Sequence, residues 1–342
     1  MIITKKKQSH GFTLVELMVV LVILGIISVG TITAITSQSK VYHSEEDLID
    51  AQMNARIAAD RISFLLRMAG VGCSDSFGNK LDSGNLATIG GAGIAANPTT
   101  SMFVIDNNSV GTPDQLTIVG AVRHVGSIDP DDPGHNPDVG IPAANQIKLQ
   151  CNETPKIDGT ATKKYIFITP QDENRYRTIS GISGTTLTLS TGLTVDEEKE
   201  LKDALTAGVV LDVCQVQAFT IRLVDTVFNS RTIRSLRIDG NAIASSTEMN
   251  VADNIQDLQF QYGIDTTTPK PDGQIDSWVD NPTDITQIRA VRFFILVRTS
   301  KIDKEYTDTK TYEIAGVTVG PFNDHTHRYL FESTVAIRNR NF

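Results

Sequence analysis

An unbroken apolar run from Phe12 to Ile35, 24 residues with Glu16 as its sole charge, follows a polar leader that holds Lys5, Lys6 and Lys7. About 20 apolar residues suffice to cross a hydrocarbon core, so the run predicts a membrane-spanning helix. A secretory signal peptide has a shorter apolar region, about 7 to 15 residues, with a small-residue cleavage site behind it. Here no Ala-x-Ala pattern follows. The leading lysines predict a cytoplasmic N-terminus and an outward body. Glu16 costs several kcal/mol inside such a helix and is expected to have a partner.

From Ser37 the pattern turns polar yet stays compatible with helix. No proline occurs before Pro98, and Ile49, Met53, Ile57, Ile62, Leu65, Leu66 and Ala69 recur every three to five residues, which predicts one apolar helical face. Gly70 and Gly72 end it. A continuous helix from Phe12 to about Met68 is roughly 85 Å long at 1.5 Å per residue, so residues 36–72 are expected to form an amphipathic stalk packed on a body.

Beyond Gly72, short β-like runs alternate with Gly, Pro, Asn and Asp. Strands are predicted at Met102–Ile105, Gln115–Val119, Gln146–Cys151, Lys164–Ile168, Val209–Val224, Thr232–Ile238, Ile255–Tyr262, Arg289–Val297 and Arg328–Ile337. Alternation at Leu258, Phe260 and Tyr262, and at Tyr329, Phe331, Val335 and Ile337, predicts half-buried strands. Ala290–Val297 is apolar on both faces apart from Arg292, the pattern of a central strand. Tyr176–Ile182 and Thr185–Leu189 flank a hairpin turn predicted at Ser183-Gly184. Thr194 and Glu197 form a capping box for a short helix ending near Gly208, with Glu198 and Lys202 four apart. The fold class is therefore α+β: a long N-terminal helix, anchor plus stalk, packed on a β-rich head at 73–342.

The formal charge is −9, and becomes −12 without the three leader lysines. An acidic body argues against a nucleic-acid surface. Cys73, Cys151 and Cys214 are too few for a disulfide framework, and any one of three pairs could be bridged in an oxidising compartment. Asp265, Asp272 and Asp276 share a stretch with Gly273 and Asp280, and Asp272-Gly273-x-x-Asp276 matches half of a calcium loop without its alternating carboxylates. They are the candidate calcium ligands; no other cofactor is expected. Asp129, Asp131, Asp132, Asp138 and His135 lie in a proline-rich acidic loop expected to be exposed. His325 and His327, beside Asp324, have metal-ligand spacing but no obvious third ligand. Gly91-x-Gly93-x-x-Ala96 lacks the strand and helix of a dinucleotide fingerprint. With no nucleophile elbow, phosphate loop or zinc-protease helix, and six scattered histidines, the chain is not expected to be an enzyme.

Gly11-Phe12-Thr13-Leu14-Val15-Glu16, continued by Leu17-Met18-Val19-Val20, resembles the class III leader junction of type IV prepilins. That resemblance implies a leader at 1–11, cleavage between Gly11 and Phe12 by a prepilin peptidase, N-methylation of Phe12, and a membrane half of the helix at 12–35. It also implies that Glu16, fifth residue of the mature chain, pairs with the terminal amine of a neighbouring subunit; such a pair would offset the cost of the buried carboxylate. Further along, ArgMetAlaGlyValGlyCys at 67–73, ValAlaAspAsnIleGlnAspLeuGlnPheGlnTyrGly at 251–263, IleArgAlaValArgPhePheIleLeuValArg at 288–298 and ThrValAlaIleArgAsn at 334–339 are similar to the minor pilins called PilW. The implied function is a minor pilin that is built into, or primes, a type IV pilus and supports adhesion or twitching motility. Its implied partners are the major pilin, other minor pilins, the inner-membrane assembly machinery and, before assembly, membrane lipid. A minor pseudopilin of a type II secretion system is the alternative, and a membrane-anchored calcium-dependent adhesin is a third reading.

Overall fold

A computed structural model of the chain describes residues 14–70, 103–106, 111–128, 137–150, 164–169, 175–228, 230–239, 248–268, 272–284 and 287–337. Two compact units divide it, one running to Asp50 and the other starting at Ala51, with the boundary inside helix α1 (Leu14–Met68).

In the first unit α1 is exposed along its apolar run, from Leu14 at 76% to Ile35 at 61%. Its hydroxyls are satisfied internally. Ser28, Thr31, Thr33 and Thr36 each donate to the carbonyl four residues back, at 2.7–2.9 Å. This back-bonding hides the one polar group that each side chain would otherwise present to an apolar surrounding.

In the second unit α1 buries Ala51, Ala55, Ala58, Ala59, Ile62, Ser63, Leu65 and Leu66. This corrects the predicted face: Ile49, Met53 and Ile57 are 62%, 61% and 41% exposed, and of the predicted set Ile62, Leu65, Leu66 and Ala69 are buried. Alanines face inward because short side chains let a helix backbone lie close on a sheet, and close packing rewards that approach. The helix stops at Gly70, whose φ of 80° favours glycine and whose N–H donates to Val119 O at 2.9 Å.

The larger sheet contains β1 (Phe103–Asp106), β2 (Gln115–Ile128), β3 (Gln146–Lys148), β4 (Lys164–Thr169), β5 (Arg175–Ser183), β6 (Thr186–Leu189), β7 (Leu211–Phe228), β8 (Arg231–Asp239) and β9 (Glu248–Asp253). Its order is β1-β2-β7-β4-β5-β6-β3, with β8 pairing β7 and β9. The 18-residue β7 runs through both halves of it, paired with β2 along Leu211–Ile221, β4 along Asp212–Gln215 and β8 along Thr220–Phe228. A second sheet, β11-β10-β12-β15, is made by β10 (Ile255–Ile264), β11 (Ser277–Val279), β12 (Ile288–Arg298) and β15 (Arg328–Ala336). A small hairpin joins β13 (Tyr312–Ile314) to β14 (Val317–Val319). The α+β expectation is met.

One core forms where the α1 alanine face meets Leu116, Ile118, Phe219, Ile221, Leu236 and Ile238 of the larger sheet and Phe260, Tyr262, Phe293 and Ile295 of the smaller. A second lies around Ile147, Ile166, Leu187, Leu211 and Val213, closed by Leu201 and Leu205 of α3 (Val195–Thr206). The predicted capping box starts that helix: Thr194 N–H donates to Glu197 Oε2 at 2.7 Å and Glu197 N–H to Thr194 Oγ1 at 3.3 Å. The β5–β6 turn is at Gly184-Thr185, one residue later than predicted, because Ser183 pairs Thr186.

As predicted, β12 is central. Phe293, Ile295 and Val297 enter the first core, while Phe294 and Leu296 pack on Tyr312, Ile314 and Ala315. The expectation of a half-buried β10 is corrected. Its polar face is buried too, with Asp257, Gln259 and Gln261 only 3%, 2% and 7% exposed. The segment before β2 covers it: Gly111 N–H donates to Asp257 Oδ2, Gln259 Nε2 to Thr112 O, and Phe260 N–H to Asp114 Oδ2, all at 2.8–2.9 Å. Side chain and backbone thus satisfy each other where alternation alone implied water.

Candidate assembly interface

Gly11 and Phe12, the residues expected to flank the cleavage, lie outside the described residues. Glu16 stands in the first turn of α1, where a helix N-terminus favours a carboxylate. Around it Leu17, Met18, Val19 and Val20 are all at least half exposed. α1 is long and apolar enough to cross a membrane. Among the described residues, a Cβ added at Gly25 or Gly30 would meet nothing within 4 Å.

The calcium candidates fold their own loop. Asp265, fully buried, accepts from Gly273 N–H at 2.8 Å, Thr267 N–H at 3.2 Å and Arg289 Nε at 3.0 Å. Burial alone would raise its pKa, but those N–H groups and the guanidinium outweigh it and hold the carboxyl below the usual aspartate range. Asp276 Oδ2 takes the N–H and hydroxyl of Thr266 at 2.7 and 2.8 Å, and Asp272 Oδ1 takes Gln274 N–H at 2.9 Å. Asp280 instead accepts from Gln261 Nε2 at 2.8 Å. Among the described residues no group of three or more His, Cys, Asp or Glu is arranged to hold a metal.

His325 and His327 precede β15 and point to different partners. His325 Nδ1 lies 2.6 Å from Tyr306 O, whereas His327 stacks on the Tyr306 ring and sets Nε2 3.1 Å from Asp303 Oδ2. Asp138, in the one-turn α2 (Pro137–Gly140), accepts from Lys202 Nζ at 2.7 Å. The remainder of that acidic loop, the Gly91 to Ala96 stretch, Cys73 and Cys151 lie outside the described residues. Cys214 is a half-buried thiol in β7, its pKa raised by burial and then by Asp212.

Sequence reasoning missed the polar cleft of about 190 Å³ between β2 and the β7–β8 ribbon, lined by Asp114, Gln115, Arg222, Leu223, Asp225 and Arg234. Arg234 and Asp225 form a two-pronged ion pair there, Nε–Oδ1 2.7 Å and Nη2–Oδ2 2.9 Å. The arginine spacing along β8 was the available signal, but only strand pairing brings Asp225 opposite Arg234.

The prokaryotic N-terminal methylation motif matches residues 6–32, spanning Gly11, Phe12, Glu16 and most of the apolar run. The type IV pilus-assembly protein W family matches residues 221–339, from the middle of β7 through β15. No curated protein and no solved structure matches the chain. The chain thus carries a methylation motif on an exposed apolar helix and a region similar to the pilus-assembly protein W family in its β-rich body, and the two together support a type IV pilin-like component.

Proposed function

We propose that this chain is a minor pilin, a structural subunit that enters or primes the type IV pilus after its leader is cut between Gly11 and Phe12. The observation that supports this most directly is the exposed, hydroxyl-satisfied apolar run of α1, most of which falls within the matched methylation motif. A surface of that size is stable only in lipid or against other apolar helices. A pilin-type subunit uses both in turn: lipid as the anchored precursor, then neighbouring subunits. Its partners in this reading are the major pilin, other minor pilins, the prepilin peptidase and the inner-membrane assembly machinery, and its role supports adhesion or twitching.

Mass spectrometry of the N-terminal peptide from cells with and without the prepilin peptidase tests the processing. A peptide beginning at methylated Phe12 only when the peptidase is present is the expected result; an intact leader in both strains sinks it. Deleting the gene then tests the system served. Loss of surface pili is expected, whereas retained pili with failed exoprotein secretion would assign the chain to type II secretion.

A further inference from the structure

We propose that the outer end of the β7–β8 ribbon docks an acidic amphipathic helix face of a neighbouring pilin-type chain. The choice of partner rests on the subunit reading above. Residues 222–237 carry Arg222, Arg231, Arg234 and Arg237 against Asp225 alone, in a chain of net charge −9. The ribbon leaves the core beyond the paired Leu223 and Leu236, and its tip exposes Val227 at 71% and Phe228 at 65%, on opposite faces. Arg231 stands directly opposite Phe228 at the tip, and Arg222 stands opposite Arg237 further in on the same face, so cations line that face from its inner end to the tip. From β12, Arg298 reaches the same place, with Nη2 3.5 Å from Thr232 O. Burial and then the crowding of Arg231, Arg328 and Arg234 depress the pKa of Arg298, a local positive field in an acidic protein.

Asp225 is already taken by Arg234, and Arg231 is exposed at the surface. Phe228 and the exposed guanidinium of Arg231 share one face of the ribbon, and an aromatic side chain beside a cation matches a partner that offers apolar side chains flanked by carboxylates. The same chemistry appears in complementary form on this chain's own α1. Glu46, Ile49, Asp50 and Met53, at i, i+3, i+4 and i+7, share one helical face, with Ile49 62% and Met53 61% exposed. A long polyanion fits less well, because the rest of the surface repels it.

A fluorescent peptide of residues 41–56, held helical by a side-chain lactam, is titrated into the full-length chain in detergent micelles, where no pilus is needed. Binding can therefore fail while pilus assembly stands, and the reverse. Saturable binding is expected, weakened about tenfold by Phe228→Ala and severalfold by Arg231→Glu. A peptide with Glu46→Lys and Asp50→Lys should bind the Arg231→Glu chain better than it binds wild type, a reversal that misfolding could not produce. Equal binding to all variants overturns the proposal. So does Arg231-dependent binding to phosphatidylglycerol vesicles or duplex DNA with none to the peptide.

Discussion

Arg328 and Asp308 meet inside the body, Nη1 to Oδ2 at 2.8 Å, with the carboxylate fully buried and the arginine side chain 4% exposed. Tyr306 and Tyr312 donate their hydroxyls to the same carboxylate at 3.2 Å, and Asp324 takes the other side of the guanidinium at 2.6 Å. Arg328 Cζ sits over the Phe322 ring, 3.8 Å from its centroid. The cluster fastens the β13–β14 segment to the start of β15. Asp308→Ala strands a buried cation that Asp324 only partly compensates, and should cost about 3 kcal/mol. Denaturant unfolding of the full chain in detergent, followed through Trp278, the sole tryptophan, measures it. An unchanged midpoint would mean that the pair contributes nothing.

The inward face of α1 makes a second, paired prediction. Ala55 and Ala58 are fully buried against the sheets, so Ala58→Leu forces extra volume into a close contact and should cost about 1–3 kcal/mol. Met53→Ser changes an exposed position and should fall within about 0.5 kcal/mol of wild type. The reverse order in thermal melts would restore the Ile49–Met53–Ile57 face to the core.

Acid should loosen the body through two aspartates. Asp265 is held low by Gly273, Thr267 and Arg289 against its burial, and Asp324 by Arg328. A carboxyl whose pKa is lower folded than unfolded adds stability above the unfolded value, near 3.9, and loses it as pH falls through the folded value. The melting temperature should therefore stay level from about pH 7 to 5 and drop below about pH 4. Asp265→Asn should be less stable at neutral pH and show a shallower acid drop; an identical pH profile would exclude Asp265 as a contributor.

Glu197 carries two contacts at once, closing the capping box of α3 and pairing with Arg177. Its side chain is 6% exposed, and although burial alone would raise its pKa, Arg177 and Thr194 together lower it. Thr194→Ala removes only the cap and should cost about 1 kcal/mol. Glu197→Ala should cost more, because it also leaves Arg177 partly buried without its carboxylate. Equal losses in denaturant midpoints would show that the ion pair adds nothing to the cap.

Local chemistry made α1, the α3 capping box and the central β12 legible in the sequence, since each follows from periodicity or spacing within a dozen residues. The inward face of α1 was misjudged because Ile49, Met53 and Ile57 outrank alanine in hydropathy, while the sheets reward close approach. The polar face of β10 looked solvated because its partners, Gly111, Thr112 and Asp114, lie some 146 residues away. Strand β9 and the β13–β14 hairpin escaped notice because Glu248–Asp253 mixes three polar with three apolar residues and no clean run, and the hairpin strands have three residues each. Likewise, three aspartates suggested a cation from spacing alone, yet the fold gives Asp265 to Arg289, whose position is set by pairing in another strand.

Glu16 gives the prediction that separates anchoring from assembly. Its carboxylate stands among exposed apolar side chains of α1, and in hydrocarbon it costs several kcal/mol, so a role limited to anchoring would be improved by its removal. Glu16→Leu should leave leader removal and membrane association intact, and should lower the amount of this chain recovered with sheared filaments by about tenfold or more, the equivalent of losing one charge pair in an apolar surrounding. Quantitative immunoblots of membrane and sheared fractions read both quantities in the same cells. Unchanged recovery in filaments would reduce Glu16 to a tolerated charge in an anchor, whereas loss from the filament with full retention in the membrane would assign the carboxylate to contacts made only between subunits.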